Sequence, residues 1–236
     1  MPELKINIIT LFPDYFTTAL QSSLLGRAQK NDLLEVCSID LRDFAQNKHR
    51  QVDDSPYGGG HGMLLMIEPI KAALDSIQEE TYKVLLSPRG YLWSQTSCHS
   101  LQSLLQTDKK SLTLLCGHYE GVDERVARYI DASIRVGDFI LSGGEPAALC
   151  IIDSICRYIP GFMGNSGSLE DESFNEANYI EYPQYTRPEE FNGDTVPEVL
   201  LSGHHENIKN WRRDQSILSS EHFKGDAKII DSQKKS

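Results

Sequence analysis

Three short apolar runs in the middle of this chain each break into a glycine-rich segment. Val84-Leu85-Leu86 runs into Ser87-Pro88-Arg89-Gly90, Leu112 to Cys116 runs into Gly117-His118-Tyr119-Glu120-Gly121, and Phe139-Ile140-Leu141 runs into Ser142-Gly143-Gly144-Glu145. The repetition predicts three strand ends converging on one ligand, because open α/β sheets bind ligands at the carboxyl ends of their strands. Glycine lets backbone approach such a ligand closely. The pattern predicts a site built mainly from loop backbone, with Glu120 and Glu145 as its few charged groups.

The rest of the chain alternates in the same sense. Lys5 to Leu11 reads as a buried strand and Leu34 to Ile39 as a second strand, separated by a helix from Asp14 to about Lys30 with Phe16, Leu20, Leu24 and Ala28 at helical spacing. Residues 42–64 are polar and glycine-rich and read as a long loop. Further helices are predicted from Glu68 to Gln78, Ser94 to Gln106, Val122 to Tyr129 and Glu145 to Tyr158, with short strands at Ser133 to Val136 and Phe139 to Leu141. Alternating strands and helices imply an α/β fold with a mostly parallel sheet. From Gly161 to Asp194 periodicity disappears, and a stretch of that length is usually functional or mobile. A small helical segment follows at about Gly203 to Ser220, and the polar tail Gly225 to Ser236 reads as frayed. The expected organisation is a main domain over 1–160, a flexible linker over 161–195 and a small helical domain over 196–236.

Composition narrows the function. No apolar run approaches the roughly 18–20 residues of a membrane span, and the opening residues carry no signal-peptide pattern. Five cysteines, without a Cys-x-x-Cys pair, read as reduced and mostly buried thiols of a cytoplasmic protein with no zinc site. A net charge of −11 argues against nucleic acid when taken alone. Binding depends on local patches, however, and two basic clusters stand out: Arg42 to Arg50 and Lys209 to Arg213 around Trp211.

The segment Tyr57-Gly58-Gly59-Gly60-His61-Gly62-Met63 lacks the Gly-Lys-Ser/Thr of a phosphate loop. It suits close approach to a flat group such as a nucleobase, with a flexible turn as the plain alternative. No Gly-x-Gly-x-x-Gly follows the first strand, and no nucleophile elbow is present. His204-His205 reads as a solvated pair. Glu170-Asp171-Glu172 is a solvated acidic loop or the source of a general base carried by a closing segment. Arg157, ending the last core helix, either complements the helix dipole or steadies negative charge on a reacting base.

A dozen segments stand in order along the chain, among them Leu11-Phe12-Pro13, His49-Arg50-x-Val52-Asp53-Asp54, Pro56 to Gly60, Leu86-Ser87-Pro88, Cys116-Gly117-x-Tyr119-Glu120-Gly121-x-Asp123-Glu124-Arg125-Val126, Leu141-Ser142-Gly143-Gly144-Glu145, Ile159-Pro160-Gly161 and Tyr185-Thr186-Arg187-Pro188. Taken together, over about residues 5–215, they resemble the bacterial tRNA (guanine-N1)-methyltransferase family of the SPOUT superfamily.

The resemblance implies a deep trefoil knot, an exception to the general absence of knots, and an active homodimer. It implies S-adenosylmethionine as cofactor, with Mg²⁺ as a candidate companion ion. Cofactor contacts are expected from Leu86, Ser87, Pro88, Gly117, Tyr119, Glu120, Val136, Gly137, Phe139, Leu141, Gly143, Gly144 and Ala147, with Glu120 pairing with the cofactor's amino group. The substrate would be tRNA carrying G37, preceded by G36, and its contacts Asp53, Tyr57, Gly58, Gly59, Gly62, Met63, Arg187 and Arg212, with Arg213 beside them. Arg157 would be the catalytic arginine. The family places an aspartate directly before Ser-Phe as the base; here that position is Glu172, with Asp171 as the alternative if the loop slips by one residue. His61 and His204 replace a proline and an Asn or Asp of the family pattern, and the arginine-rich ending after Gln215-Ser216 is missing. These departures keep a second reading open, a cofactor-binding but catalytically impaired tRNA-binding protein. A SPOUT methyltransferase with another RNA target is a third.

Overall fold

The computed structural model describes residues 2–107, 111–164, 172–176 and 179–233. In chain order the elements are β1 (Leu4–Thr10), α1 (Thr17–Gln21), α2 (Ser23–Lys30), β2 (Leu34–Asp40), β3 (Asp53–Asp54), β4 (Leu64–Leu65), α3 (Ile67–Asp75), β5 (Tyr82–Leu92), α4 (Gln95–Thr107), β6 (Ser111–Cys116), β7 (Ala132–Arg135), α5 (Glu145–Cys156), β8 (Glu190–Phe191), β9 (Asp194–Thr195), α6 (Glu198–Leu201) and α7 (His205–Gln233). The chain divides into two compact units, Met1–Gly164 and Asn165–Ser236.

The first unit is built on a five-stranded sheet in the order β2-β1-β6-β5-β7, with every pairing parallel. Its central strand, β6, is buried along its whole length, as a parallel strand covered on both faces must be. Side chains alternate between two cores. Leu112, Leu114 and Cys116 pack on one face with Ile6, Ile8, Val84 and the apolar sides of α2, α4 and α5. Leu115 faces the other side with Ile9, Leu85 and the α3 residues Ile70, Ala73 and Leu74.

The expected α/β class and parallel sheet hold, but several elements differ from the sequence reading. The single helix predicted from Asp14 to Lys30 is three pieces: a 3₁₀ turn at Pro13–Phe16, then α1 and α2, separated by an extended Ser22 and by Ser23 at φ +52°. The break lets Gly26 press on the Gln21 carbonyl, where a Cβ would collide. Phe16, Leu20 and Ala28 still reach the core, which is why the periodicity looked continuous. The segment predicted as a helix from Val122 is a 3₁₀ helix over Glu124–Tyr129, capped by the Asp123 carboxylate accepting from Arg125 N at 2.9 Å. The stretch 42–64 contains β3, which pairs with β4 at the end of the stretch, and the tail of a 3₁₀ helix over Leu41–Phe44.

In the second unit, the aperiodic stretch closes with the hairpin β8–β9, turned by Asn192-Gly193 at φ +55° and +90°. That is the two-residue turn an Asn-Gly pair favours. The tail read as frayed from Gly225 is helical through Gln233. Among the described residues, no helix is long and apolar enough to cross a membrane.

Candidate cofactor and substrate site

Three chain segments meet beside β5, β6 and β7, one within β5 and one after each of the other two strands. After β6 the chain turns over His118 to Gly121, where Gly121 N donates to His118 O at 3.0 Å and Tyr119 takes a left-handed φ of +57°. After β7 it leaves the sheet as the open loop 136–144 and enters α5. The residues Phe139, Ile140 and Leu141, predicted as a strand, belong to this loop and are exposed. Among the described residues no strand pairs with them; a three-residue apolar run carries no periodicity that separates a strand from a loop facing a ligand.

The third segment also departs from expectation. Ser87-Pro88-Arg89-Gly90 does not end β5. The strand runs on to Leu92, and its ladder with β7 shifts so that both Leu86 and Tyr91 stand opposite Ile134. Ser87 to Gly90 is therefore a bulge inside the strand, a device common beside functional sites. Gly90 lies directly on the β7 backbone: a Cβ there would stand 2.6 Å from Ile134 Cα.

Two contacts lock the other two segments together. Gly144 N donates to Gly117 O at 2.8 Å, and His118 and Gly143 form an isolated antiparallel bridge. A Cβ on Gly144 would stand 2.7 Å from Cys116 Cα, so only glycine lets the backbones come this close. Burial pushes the Cys116 thiol well up, with the nearby Glu145 carboxylate adding to it. It stays a packing group at neutral pH.

These segments enclose a cavity of about 290 Å³. Twelve of the thirteen residues expected to touch a cofactor line it: Leu86, Ser87, Pro88, Gly117, Glu120, Val136, Gly137, Phe139, Leu141, Gly143, Gly144 and Ala147. Tyr119 does not; its ring packs edge-on against His118. Leu85, Arg89, Gly121, Val122, Ile134 and Arg135 also line the cavity. Arg89 and Gly121 sit in glycine-rich segments that the sequence singles out, whereas Leu85, Val122, Ile134 and Arg135 lie outside them and read only as core or surface. The walls are mostly backbone and apolar side chains, with Glu120 as the carboxylate and Arg89 and Arg135 as the cations. That chemistry fits a ligand with a flat heteroaromatic end and a cationic amine.

Glu120 joins this cavity to the glycine loop. Its backbone N donates to Met63 O at 3.1 Å, and its side chain fills the space over Gly62, where any Cβ would strike it. The Gly58, Gly59, Gly60 and Gly62 backbones all have positive φ, and Tyr57 projects fully into solvent. Asp53 pairs with Leu65 at the base of the loop. Met63 and the cavity therefore share Glu120 as a common wall, which places the exposed glycine loop beside the cavity.

Arg157 caps the carboxyl end of α5 and is half-buried; its charge acts on the Cys98 thiol, whose burial raises it to about 11. In the second unit, Arg187 and Arg212 line one cavity of about 540 Å³ with Tyr185 and Trp211. The Arg212 guanidinium stands 4.8 Å over the Tyr182 ring, so it is held as a stacked cation. Glu172 is half-buried in that unit, its carbonyl accepting from Asn175 N at 3.2 Å. Asp171 lies outside the described residues. Among the described residues, no group of three His, Cys, Asp or Glu side chains converges as metal ligands.

The sequence pattern of the tRNA (guanine-1)-methyltransferase TrmD family matches residues 4–227. A protein of Clostridium kluyveri named tRNA (guanine-N(1)-)-methyltransferase is 48% identical over 226 residues, covering 95% of this chain and 90% of its own. Similarly named proteins of Clostridium perfringens and Clostridium acetobutylicum are 47% and 48% identical over 217 residues, covering 91% of this chain and 89% and 87% of theirs.

Proposed function

We propose that the chain, which belongs to the TrmD family of tRNA (guanine-1)-methyltransferases, binds S-adenosylmethionine in the cavity formed by the β5 bulge and the loops after β6 and β7. There it methylates N1 of guanine-37 in tRNA. The observation that carries this reading is the cavity itself: one pocket collects the bulge of β5, the loop after β6 and the loop before α5, and Glu120 separates it from an exposed glycine surface. The backbone-rich walls fit adenosine and methionine, and the Glu120 carboxylate fits the amino group.

When bound, S-adenosylmethionine supplies an electrophilic methyl carbon on a sulfonium leaving group. The chain's own residues do the rest. Guanine N1 carries a proton and is a poor nucleophile, so a carboxylate must take that proton. Glu172, fifteen residues after Arg157 as the family spacing requires, has that role, with Asp171 as the alternative. Arg157 and loop amides balance the charge that moves to O6. The glycine surface from Tyr57 to Met63 seats the base beside the cofactor, and holding two reactants in register supplies much of the acceleration. No covalent enzyme intermediate is required.

The same reading assigns a homodimer, a trefoil knot and a cytoplasmic location. Tyr91 and Ile140, about four-fifths exposed at 81% and 79%, are the apolar surface a second copy would cover. The close packing of the segment before α5 on Gly117 supports the knot. Arg187 and Arg212 contact tRNA, and G36 completes the recognised sequence. The test is methyl transfer from labelled S-adenosylmethionine to two transcripts, one with G36-G37 and one with G37 replaced by A. Transfer to the first alone is expected. Transfer to neither, with cofactor still bound, would favour a binding protein without the chemistry.

A further inference from the structure

We propose that Glu145 and His118 form a carboxylate–imidazole couple that positions two of the three cofactor loops, an inference that rests on the cofactor assignment above. Neither side chain lines the cavity. Glu145 opens α5 and is 3% exposed, and a charge so buried persists only where partners satisfy it. One partner is clear: Oε1 accepts from Thr10 Oγ1 at 2.7 Å, and Thr10 Oγ1 in turn accepts from Phe12 N at 3.0 Å. The start of α5 adds its positive dipole end. The other oxygen, Oε2, occupies the space over Gly143.

The same space holds a group that lacks a partner. His118 Nδ1 is buried and, among the described residues, makes no hydrogen bond. It stands 2.6 Å from the point a Cβ on Gly143 would take, with Glu145 Oε2 crowding that same point. The His118 ring is held between Phe12 and Tyr119, at centroid distances of 5.1 and 4.7 Å. A buried nitrogen without a partner is costly, and the acceptor that would satisfy it is the nearest free face of a carboxylate.

The geometry gives the couple a task. His118 follows Gly117 and precedes Glu120; Glu145 follows Gly143 and Gly144. Gly117, Glu120, Gly143 and Gly144 all line the cavity. A small closure of either loop brings Nδ1–H onto Oε2 and fixes the two walls relative to each other and to the end of β1. The couple then forms when the loops close on the cofactor, and its formation adds to cofactor affinity. Glu145 and His118 act through their neighbours and are positioning residues.

The experiment is a double-mutant cycle on S-adenosylmethionine affinity, read by calorimetry, with the ¹⁵N chemical shift of His118 as an independent readout. His118→Phe keeps a ring between Phe12 and Tyr119 and removes Nδ1; Glu145→Ala removes the carboxylate. Loss of one hydrogen bond to a charged group weakens binding about ten-fold. Each single variant should lose at least that much, and the double variant should bind no worse than Glu145→Ala alone. In the parent protein with cofactor bound, the Nδ1 signal should be that of a protonated donor. Multiplying effects, parent-like affinity of His118→Phe, or an Nδ1 signal that stays unprotonated with cofactor bound would each overturn the couple. If Glu145→Ala does not fold, the His118→Phe affinity and the ¹⁵N shift decide. A parent chain that binds no S-adenosylmethionine overturns the cofactor assignment and the couple together.

Discussion

Glu120 stands where the cofactor cavity meets the glycine loop, with its backbone tied to Met63 and its side chain over Gly62. Replacing it with alanine removes the cavity's carboxylate without emptying a packed core. Glu120→Ala should weaken S-adenosylmethionine binding by roughly 1–3 kcal/mol, the worth of a hydrogen bond to a charged group. Calorimetry checks this, and an unchanged affinity would remove Glu120 from the amino-group contact. The proposed base makes the complementary prediction. Glu172→Gln should leave cofactor affinity unaltered and nearly abolish turnover, because the amide cannot take the guanine proton. A variant with parent activity would shift the role to Asp171. At this scale the sequence was most legible where chemistry depends on residue type. Glu120, Gly143 and Gly144 announced themselves, whereas Leu85 and Ile134 read only as core. Whether a strand side chain faces packing or a ligand is decided by the neighbours that cover it, and those are distant in sequence.

Elements were legible where their burial pattern had a clear period and illegible where the chain departs from regular geometry. The parallel strands β1 and β6 followed from their largely apolar runs, and the edge strand β2 from its alternation of apolar and polar residues. The bulge in β5 did not, because Ser-Pro-Arg-Gly carries the composition of a turn, and only the register shift opposite Ile134 shows that the strand resumes. The hairpin β8–β9 had a signal in Asn192-Gly193 that the surrounding polar texture obscured. The bulge supports a direct test. A methyl group on Gly90 would meet the backbone of Ser133 and Ile134, which cannot move aside as a side-chain end can. Gly90→Ala should therefore destabilise the first unit by about 1–3 kcal/mol, the usual cost of overpacking. It should also weaken cofactor binding by displacing Ser87 to Arg89. Urea denaturation with parallel calorimetry measures both, and retained stability would mean that β5 and β7 can separate without loss.

Over the whole molecule, the net charge of −11 places the folded chain's electrostatics in pairs and local patches, and one such pair joins distant segments of the first unit. Glu79, just before β5, accepts from Asn7 Nδ2 at 3.0 Å and from Lys5 Nζ at 2.9 Å, both on β1. Lys5 also stands 3.7 Å from Glu35 on β2. The Asn7 amide, and then the Lys5 ammonium, hold the Glu79 carboxyl below its ordinary value. Glu79, chiefly through its hydrogen bond, holds Lys5 above its own. The signs fix the pH window. A carboxyl lowered in the folded state contributes stability that is present above its unfolded pKa, about 4.3. That contribution is lost as pH falls through the folded value. A lysine raised in the folded state contributes below its unfolded pKa, about 10.4, and loses that contribution as pH rises through the folded value. The network should therefore contribute evenly from about pH 5 to pH 9. Glu79→Gln keeps an acceptor for Asn7 but removes the charge. Its urea midpoint should fall below that of the parent by a constant gap over this range, and the gap should close as pH drops toward 3. A gap that persists unchanged at pH 3 would show that the carboxylate's shape, and not its ionisation, joins β1 to β5.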